Sequence, residues 1–221
     1  MGKLLVIDGL DGCGKSTQLQ LLDEALAASG TVYRQISFPD YEQPSSALVK
    51  MYLGGELGGS PAAVNAYAAS SFYAVDRYAS YKCFWQEDYA AGVPIVAARY
   101  TTSNAIHQMT KCPEAEWDSY LEWLEAYEYG KLELPRPDRV VFLDMPLEVS
   151  QRLLEKRYAG DSEKKDIHER DLSYLQSCRK AALYAADKLG WIILPCACDG
   201  EPLPKELIHR QLLDCFKEMI K

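Results

Sequence analysis

The sequence predicts a doubly wound α/β fold, in which helices cover both faces of a five-stranded parallel sheet. Five short runs, four of them almost wholly apolar, alternate along the chain with longer segments of helical periodicity. Apolar runs of this kind suit strands that are covered on both faces, as they are in parallel sheets. Regular alternation of strands and helices is typical of doubly wound domains, which bind their ligands at the carboxyl ends of the strands.

The predicted elements follow one another in order along a chain of 221 residues. Five runs are predicted to be strands, at 3–8, 31–38, 94–99, 139–145 and 191–196. Seven segments are predicted to be helices, at 15–28, 45–53, 62–91, 114–129, 147–157, 171–189 and 204–220. Because neither an internal repeat nor a linker interrupts this order, residues 1–221 are predicted to form a single domain. The polar, charge-dense stretch 158–170 is predicted to be a mobile loop between two helices.

The composition excludes several classes of protein. A net charge of −8 argues against binding to nucleic acid, because a protein that follows a phosphate backbone needs a basic surface. A local cluster of Arg and Lys could still bind a small anionic ligand. Seven scattered cysteines, without the spacing of a zinc or redox motif, predict reduced thiols. No apolar run approaches the length of a signal peptide or a membrane span, which predicts a cytoplasmic protein that binds no membrane.

The glycine-rich segment Gly9–Ser16 matches the P-loop pattern G-x-x-x-x-G-K-[ST]. It follows a predicted strand and precedes an amphipathic helix, which is the context that supports this motif. Its glycines let backbone N–H groups turn toward phosphate oxygens, and the helix N-terminus adds a favourable field. Lys15 is predicted to reach the β- and γ-phosphates of a nucleoside triphosphate, and the Ser16 hydroxyl to bind Mg²⁺. The predicted nucleotide contacts of this loop are Gly9, Gly12, Cys13, Gly14, Lys15, Ser16 and Thr17.

The P-loop alone does not distinguish among the enzymes that use it. A GTPase should carry an Asn-Lys-x-Asp guanine motif after a later strand, and the sequence contains none. A large motor ATPase would need a longer chain. The sequence therefore favours a small kinase.

Beyond the P-loop, the sequence resembles the thymidylate kinase family over nearly its whole length. Residues 6–18 look like the phosphate loop of that family, and Phe38-Pro39-Asp40 resembles its segment after the second strand. Further resemblances lie in Tyr73–Arg77, in residues 99–108 and in the Pro-x-Pro-Asp strand entry at 134–138. The resemblance implies a P-loop kinase fold, with a lid near 158–170, that transfers the γ-phosphoryl group of ATP to dTMP with Mg²⁺ and gives dTDP. It also implies a homodimer.

The spacing of Tyr73 and Arg77 makes physical sense without the family. Residues four apart share one face of a helix, so the Tyr73 ring can stack on a base while Arg77 donates to a carbonyl oxygen of that base. The alternative is that Tyr73 belongs to the core and Arg77 is a solvated surface charge. The phosphate loop in the same chain favours the first interpretation.

The resemblance implies roles for several other residues. Asp11 would lie near the sugar of the acceptor nucleotide, Arg99 would bridge the donor and acceptor phosphates, and Arg152 would cover the adenine. Among the lid cations, Arg157 is predicted to be catalytic, with Lys165 and Arg170 as further candidates. The predicted catalytic residues are Lys15, Arg99 and Arg157. The predicted acceptor contacts are Asp11, Phe38, Pro39, Tyr73, Arg77, Arg99, Ser103, Asn104 and Gln108.

Two positions depart from the family pattern. Tyr41 follows Phe38-Pro39-Asp40 where members of the family often have Arg, and Ala98 precedes Arg99 where they normally have Asp. That aspartate helps to hold the hydration shell of Mg²⁺. A substituted protein, a metal shell completed by Asp8 or Asp144, and a nucleotide-binding homologue with poor turnover all remain open. A deoxynucleoside kinase also remains open, because Asp8 could serve as the base that a neutral hydroxyl acceptor requires.

Overall fold

The computed structural model describes residues 1–58, 63–157 and 172–221. The strands in these ranges are β1 Leu4–Asp8, β2 Arg34–Ser37, β3 Ile95–Ala98, β4 Arg139–Asp144, β5 Ile192–Pro195, β6 Ala197–Cys198 and β7 Glu201–Pro202. The α-helices are α1 Lys15–Ala28, α2 Ala47–Leu53, α3 Ala66–Ser80, α4 Gln86–Ala90, α5 Trp117–Glu125, α6 Leu147–Arg157, α7 Leu172–Leu189 and α8 Lys205–Met219. Short 3₁₀ turns occupy Pro44–Ser46, Met109–Lys111 and Glu114–Glu116, and π-helical turns occupy Tyr81–Trp85, Asn104–Gln108 and Ala126–Lys131.

The five longer strands form one sheet in the order β2-β3-β1-β4-β5, and β6 pairs with β7 in a separate antiparallel hairpin. Strand β2 pairs with β3 in parallel, with Ser37 opposite Ala98. Strand β4 pairs with β5 in parallel, with Asp144 opposite Pro195. Every residue of β1 and β3 is buried, as expected for strands that have neighbours on both sides. The predicted five-stranded parallel sheet is therefore confirmed.

The chain divides into two compact units, each made of two stretches of sequence. The first unit comprises residues 1–6 and 33–138, and the second comprises residues 7–32 and 139–221. In the first unit, Asp138 joins the Pro-x-Pro-Asp segment to the start of β1. Its Oδ2 accepts the Leu4 N–H at 2.9 Å and its Oδ1 accepts the Lys3 Nζ at 2.8 Å. In the second unit, Gln18 of α1 donates to the Lys205 carbonyl at the start of α8, at 3.0 Å.

The predicted helix at 62–91 proves to be a broken one. It begins at Ala66, because the Asn65 side chain accepts the Ala68 N–H at 2.8 Å and caps the first turn. A π-helical turn at Tyr81–Trp85 then interrupts it before α4. The predicted helix at 114–129 is interrupted in the same way, because α5 passes into the π-helical turn at Ala126–Lys131.

No helix in the described ranges combines the length and the hydropathy that crossing a membrane would require.

Candidate functional site

The phosphate loop depends on its glycines for two different reasons. Gly12 and Gly14 adopt φ angles of 78° and 88°, in the left-handed region that favours glycine. A Cβ added at Gly9 would lie 2.7 Å from the Cys13 Sγ, and one added at Gly12 would lie 2.9 Å from the Leu154 Cγ. A Cβ added at Gly14 would have no atom within 4 Å. Gly9 and Gly12 thus allow close packing, whereas Gly14 borders open space at the N-terminus of α1, where a helix attracts phosphate.

The polar side chains of the loop differ in exposure. Lys15 is half-buried, and its Nζ donates to the Gly9 carbonyl at 2.9 Å. Ser16 and Thr17 are exposed in the first turn of α1, and Asp11 is half-buried. Asp8 ends β1 and is fully buried, with its Oδ1 accepting the Gly9 N–H at 2.8 Å. The loop therefore offers an amine and hydroxyls at its surface and a carboxylate beneath it.

Arg152, the predicted adenine neighbour, lies on α6 and points to the hairpin formed by β6 and β7. Its Nη1 donates to Glu201 at 3.0 Å, and its Nη2 donates to the Gly200 carbonyl. Half of the side chain is exposed. The two-residue strands of this hairpin are too short to give a strand pattern in the sequence, so they were not predicted.

The predicted base-binding pair lies on α3. Tyr73 is half-buried and meets the Tyr52 ring edge-on at a centroid distance of 6.4 Å. Burial raises the pKa of Tyr73, so its hydroxyl stays neutral. Arg77, one turn later, is only 1% exposed. The solvated-charge alternative for Arg77 is therefore wrong, because its guanidinium lies inside the first unit.

The partner of Arg77 is Glu128, a fully buried carboxylate in the π-helical turn after α5. Arg77 Nε donates to its Oε2 at 2.7 Å and Arg77 Nη2 donates to its Oε1 at 2.5 Å. Burial acts to lower the pKa of Arg77, but the charge and hydrogen bonds of Glu128 outweigh it and the pKa is raised. Arg77 Nη1 also donates to the Tyr100 carbonyl at 3.3 Å. The cation is therefore fixed in orientation and permanently charged.

Asn104 forms a buried cluster with Arg77 and Glu128. Its Nδ2 donates to Glu128 Oε1 at 3.0 Å and to the Ser70 carbonyl at 3.2 Å. Gln108, one helical turn later, is 4% exposed, and its Oε1 accepts no hydrogen bond from the part of the chain that the structure describes. The structure thus joins Arg77 and Asn104 through Glu128 and buries Gln108 in the same unit.

The segment after β2 is held in place by a second buried carboxylate, Asp76 of α3. Asp76 Oδ2 accepts the Asp40 N–H at 2.8 Å, and its Oδ1 accepts the Ser45 hydroxyl at 2.6 Å. Immediately before Asp40, the Phe38–Pro39 peptide bond is cis, and the buried Phe38 ring packs on Tyr100 at a centroid distance of 5.9 Å. Asp76 therefore ties the predicted acceptor segment to the helix that carries Tyr73 and Arg77.

Arg99 directly follows β3 and adopts a φ angle of 63°, which is uncommon for a residue with a side chain. Its Nη1 lies 3.2 Å from the His107 Nε2. Ser103, between them, is half-buried. Strained backbone of this kind is concentrated at functional sites, which fits the predicted role of Arg99 in binding phosphate.

The structure describes Asp144 and Ala98, two residues near the predicted metal shell, but not the predicted lid. Asp144 is bound by Arg179 of α7, with both of its oxygens accepting guanidinium hydrogens at 2.8 Å. Ala98 is buried at the end of β3. The lid at 158–170, with Lys165 and Arg170, lies outside the described residues, as does the side chain of Arg157 at the end of α6.

Residues 7–203 of this chain match the family model described as Thymidylate kinase. The chain belongs to the thymidylate kinase family. Thymidylate kinase from Mycobacterium tuberculosis is 30% identical over 185 residues, which cover 82% of this chain and 84% of that protein. The enzyme from Schizosaccharomyces pombe is 27% identical over 216 residues, which cover 96% of this chain and 90% of that protein. A solved structure of thymidylate kinase from Candida albicans matches with a TM-score of 0.70 at 20% identity, over 98% of this chain and 92% of that chain, and supports the fold.

Membership of the thymidylate kinase family confirms the predicted enzyme class and the predicted use of ATP to phosphorylate dTMP. Three charged residues of this chain were nevertheless not predicted from the sequence: Asp76, Glu128 and Arg179. A signal existed for Glu128, because it continues the apolar stripe of Trp117, Leu121 and Leu124 at helical spacing. A charged residue on an otherwise apolar stripe indicates a buried ion pair.

Proposed function

We propose that this chain transfers the γ-phosphoryl group of ATP to the 5′-phosphate of dTMP, with Mg²⁺, and that the residues described above perform the transfer. The observation that carries the proposal is the phosphate loop, whose glycine geometry leaves open space at the N-terminus of α1. An acceptor oxygen of dTMP attacks the γ-phosphorus, the bond from that phosphorus to the bridging oxygen breaks, and ADP leaves with the electron pair. Catalysis in such a transfer comes almost entirely from positioning and charge stabilisation.

The donor phosphates are proposed to bind at the phosphate loop. Backbone N–H groups of 9–17 and the N-terminus of α1 would donate to them. Lys15 Nζ, which now donates to the Gly9 carbonyl, would exchange that weak partner for a charged phosphate oxygen. Arg152, held by Glu201, would cover the adenine. Arg99 and Arg157 would neutralise the charge that develops on the transferred group.

The residues of the loop fit a bound Mg²⁺. The ion prefers oxygen ligands and keeps several waters, so one hydroxyl and one nearby carboxylate suffice as protein groups. Ser16 supplies an exposed hydroxyl in the loop, and Asp8 supplies a buried carboxylate at the end of β1, directly before the loop. Asp144 is the weaker candidate, since Arg179 already occupies both of its oxygens. When bound, the ion would neutralise charge on the β- and γ-phosphates.

The acceptor base is proposed to bind at the buried cluster of the first unit. Tyr73 would stack on thymine, while Arg77 would donate to a ring carbonyl. Hydrogen bonds to described residues use three of the five N–H groups of Arg77, and the other two could donate to the base. The hydrogen-bonding edge of the base would also be contacted by Asn104, Gln108 and Ser103. Phe38, Pro39 and Asp11 would contact the remaining part of the acceptor nucleotide.

We also propose that the chain is a homodimer. Tyr67, Ser71, Val75 and Tyr78 recur on one face of α3 at helical spacing. Three of these are large and exposed, by 39%, 45% and 38% for Tyr67, Val75 and Tyr78. An exposed apolar stripe of this kind is typical of a surface that another protein covers.

The proposed function is tested by following ADP release from ATP with dTMP and with thymidine in parallel reactions. We expect release with dTMP and not with thymidine, because the site has a cation for an anionic acceptor. Release with thymidine alone would assign the chain to the deoxynucleoside kinases. No release with either, while ATP still binds, would indicate a nucleotide-binding homologue.

A further inference from the structure

We infer that Glu128 is a positioning residue that sets base specificity, by fixing which atoms of Asn104 and Arg77 face the acceptor base. The inference deepens the proposed function and rests on it. Glu128 is 0% exposed, and its carboxylate contacts both Arg77 and Asn104. It has no contact with substrate in this account and acts through its two neighbours.

The first step of the argument concerns the orientation of Asn104. Its two acceptors, Glu128 Oε1 and the Ser70 carbonyl, can only accept hydrogen bonds, so the amide nitrogen must face them. Both amide hydrogens are thereby used. The Oδ1 of Asn104 is directed away from them and is left as an acceptor. Glu128 can impose this orientation because the paired contacts with the Arg77 guanidinium hold its carboxylate in place.

The second step concerns Arg77. The paired contacts from Nε and Nη2 to Glu128 fix the plane of the guanidinium. The N–H groups that remain can only donate, since a guanidinium has no acceptor. Glu128 therefore produces one fixed donor and one fixed acceptor from two neighbouring side chains.

The third step is the match to a base. The edge of thymine or uracil presents an N3–H donor beside carbonyl acceptors, and the edge of cytosine presents an N3 acceptor beside an amino donor. A fixed Asn104 oxygen and a fixed Arg77 N–H complement the first pattern and oppose the second. Without Glu128, the Asn104 amide could turn over and present its NH2 group, which would donate to N3 of cytosine. Buried groups left unpaired by a mismatched base are the strongest basis for discrimination.

The test compares kcat/KM for dTMP, dUMP and dCMP in the wild type and in Glu128→Gln and Glu128→Asp. Glu128→Gln removes the charge, whereas Glu128→Asp keeps a charged partner for Arg77 but is one methylene too short to reach Asn104 as well. We expect kcat/KM for dTMP and dUMP to fall together by about tenfold or more, chiefly through a higher KM, with the KM for ATP unchanged. The ratio of kcat/KM for dTMP to kcat/KM for dCMP should fall as well.

Tyr120→Phe is the matched control. The Tyr120 hydroxyl belongs to the same buried cluster, where it hydrogen bonds with Ser70 Oγ at 2.6 Å and donates to the backbone carbonyl of Asn104 at 3.3 Å. It does not touch the amide of Asn104, so this variant should keep the ratio of dTMP to dCMP turnover even where stability falls.

An unchanged ratio of dTMP to dCMP turnover in the folded Glu128 variants would overturn the inference. Failure of both Glu128 variants to fold would also overturn it, because Glu128 would then have a structural role only. A wild-type protein that does not phosphorylate dTMP at all would instead overturn the proposed function, and the two failures are thus distinguishable.

Discussion

Lys15 lies at the mouth of the phosphate loop, where its Nζ is attached to the fold by a hydrogen bond to the Gly9 carbonyl. Lys15→Ala should therefore leave the fold intact, since one partly exposed hydrogen bond contributes only ~0.5–1.5 kcal/mol. It should remove most turnover, because no other cation of the loop reaches the transferred phosphate. Steady-state ADP release together with a thermal unfolding midpoint checks both expectations. Lys217→Ala, an exposed lysine of α8, is the control. Near-normal activity in a folded Lys15→Ala variant would contradict the assigned role.

Ala98 stands where members of the family normally carry a carboxylate that orients the waters of Mg²⁺. Ala98→Asp should raise the turnover number by about tenfold, which corresponds to ~1.4 kcal/mol of the barrier, with little change in ATP affinity. It should also lower the Mg²⁺ concentration that half-maximal turnover needs. Single-turnover kinetics across a magnesium titration measure both, with Ala98→Asn as the uncharged control. Unchanged kinetics in the Asp variant would mean that Asp8 already supplies this function.

Individual side chains were predictable where the chemistry is local. The P-loop residues follow one another in the sequence, so their pattern alone indicated phosphate binding. Tyr73 and Arg77 share one helix turn, and the structure brings them onto α3 as expected. Glu128 is 51 positions from Arg77, and Arg179 is 35 positions from Asp144. No local pattern pairs residues at such separations, because only the tertiary fold brings them together.

The phosphate loop as an element depends on the open space beside Gly14. Gly14→Ala places a methyl group in that space, and we expect it to raise the Kd for ATP by about tenfold or more. The left-handed backbone should also cost ~1–2 kcal/mol of stability. Gly92→Ala is a matched control, since Gly92 has a φ angle of 92° and open space for a Cβ. It should lose similar stability and keep its ATP affinity in calorimetric titrations. Equal ATP affinity in the two variants would count against phosphate binding beside Gly14.

Strands and helices were predicted with unequal success for physical reasons. The five strands of the parallel sheet all lie within the predicted runs, and those of β1, β3 and β4 were the clearest because buried parallel strands leave continuous apolar sequence. The π-helical turns at Tyr81–Trp85 and Ala126–Lys131 were not predicted. A π turn inserts one residue into an otherwise regular helix, and the apolar spacing on either side still reads as α-helical. The capping role of Asn65 was likewise hidden inside a longer helical pattern.

The proposed dimer places the exposed stripe of α3 against a second copy of the chain. Val75→Glu and Tyr78→Glu should each shift the protein toward the monomer in size-exclusion chromatography with light scattering, because a buried charge without a partner disfavours an interface. Val32→Glu, which charges a more exposed apolar residue outside α3, should leave the assembly unchanged. A wild-type protein that is already monomeric at micromolar concentration would contradict the proposed dimer.

The most direct test of the assignment follows the transferred phosphorus itself. ATP labelled in its γ-phosphate is incubated with the protein and either dTMP or thymidine, and the products are separated. We expect the label in the β-phosphate of dTDP with dTMP, no labelled product with thymidine, and none with either acceptor in Lys15→Ala. Label in the 5′-phosphate of thymidine, or no transfer to dTMP by a folded protein that still binds ATP, would contradict the account.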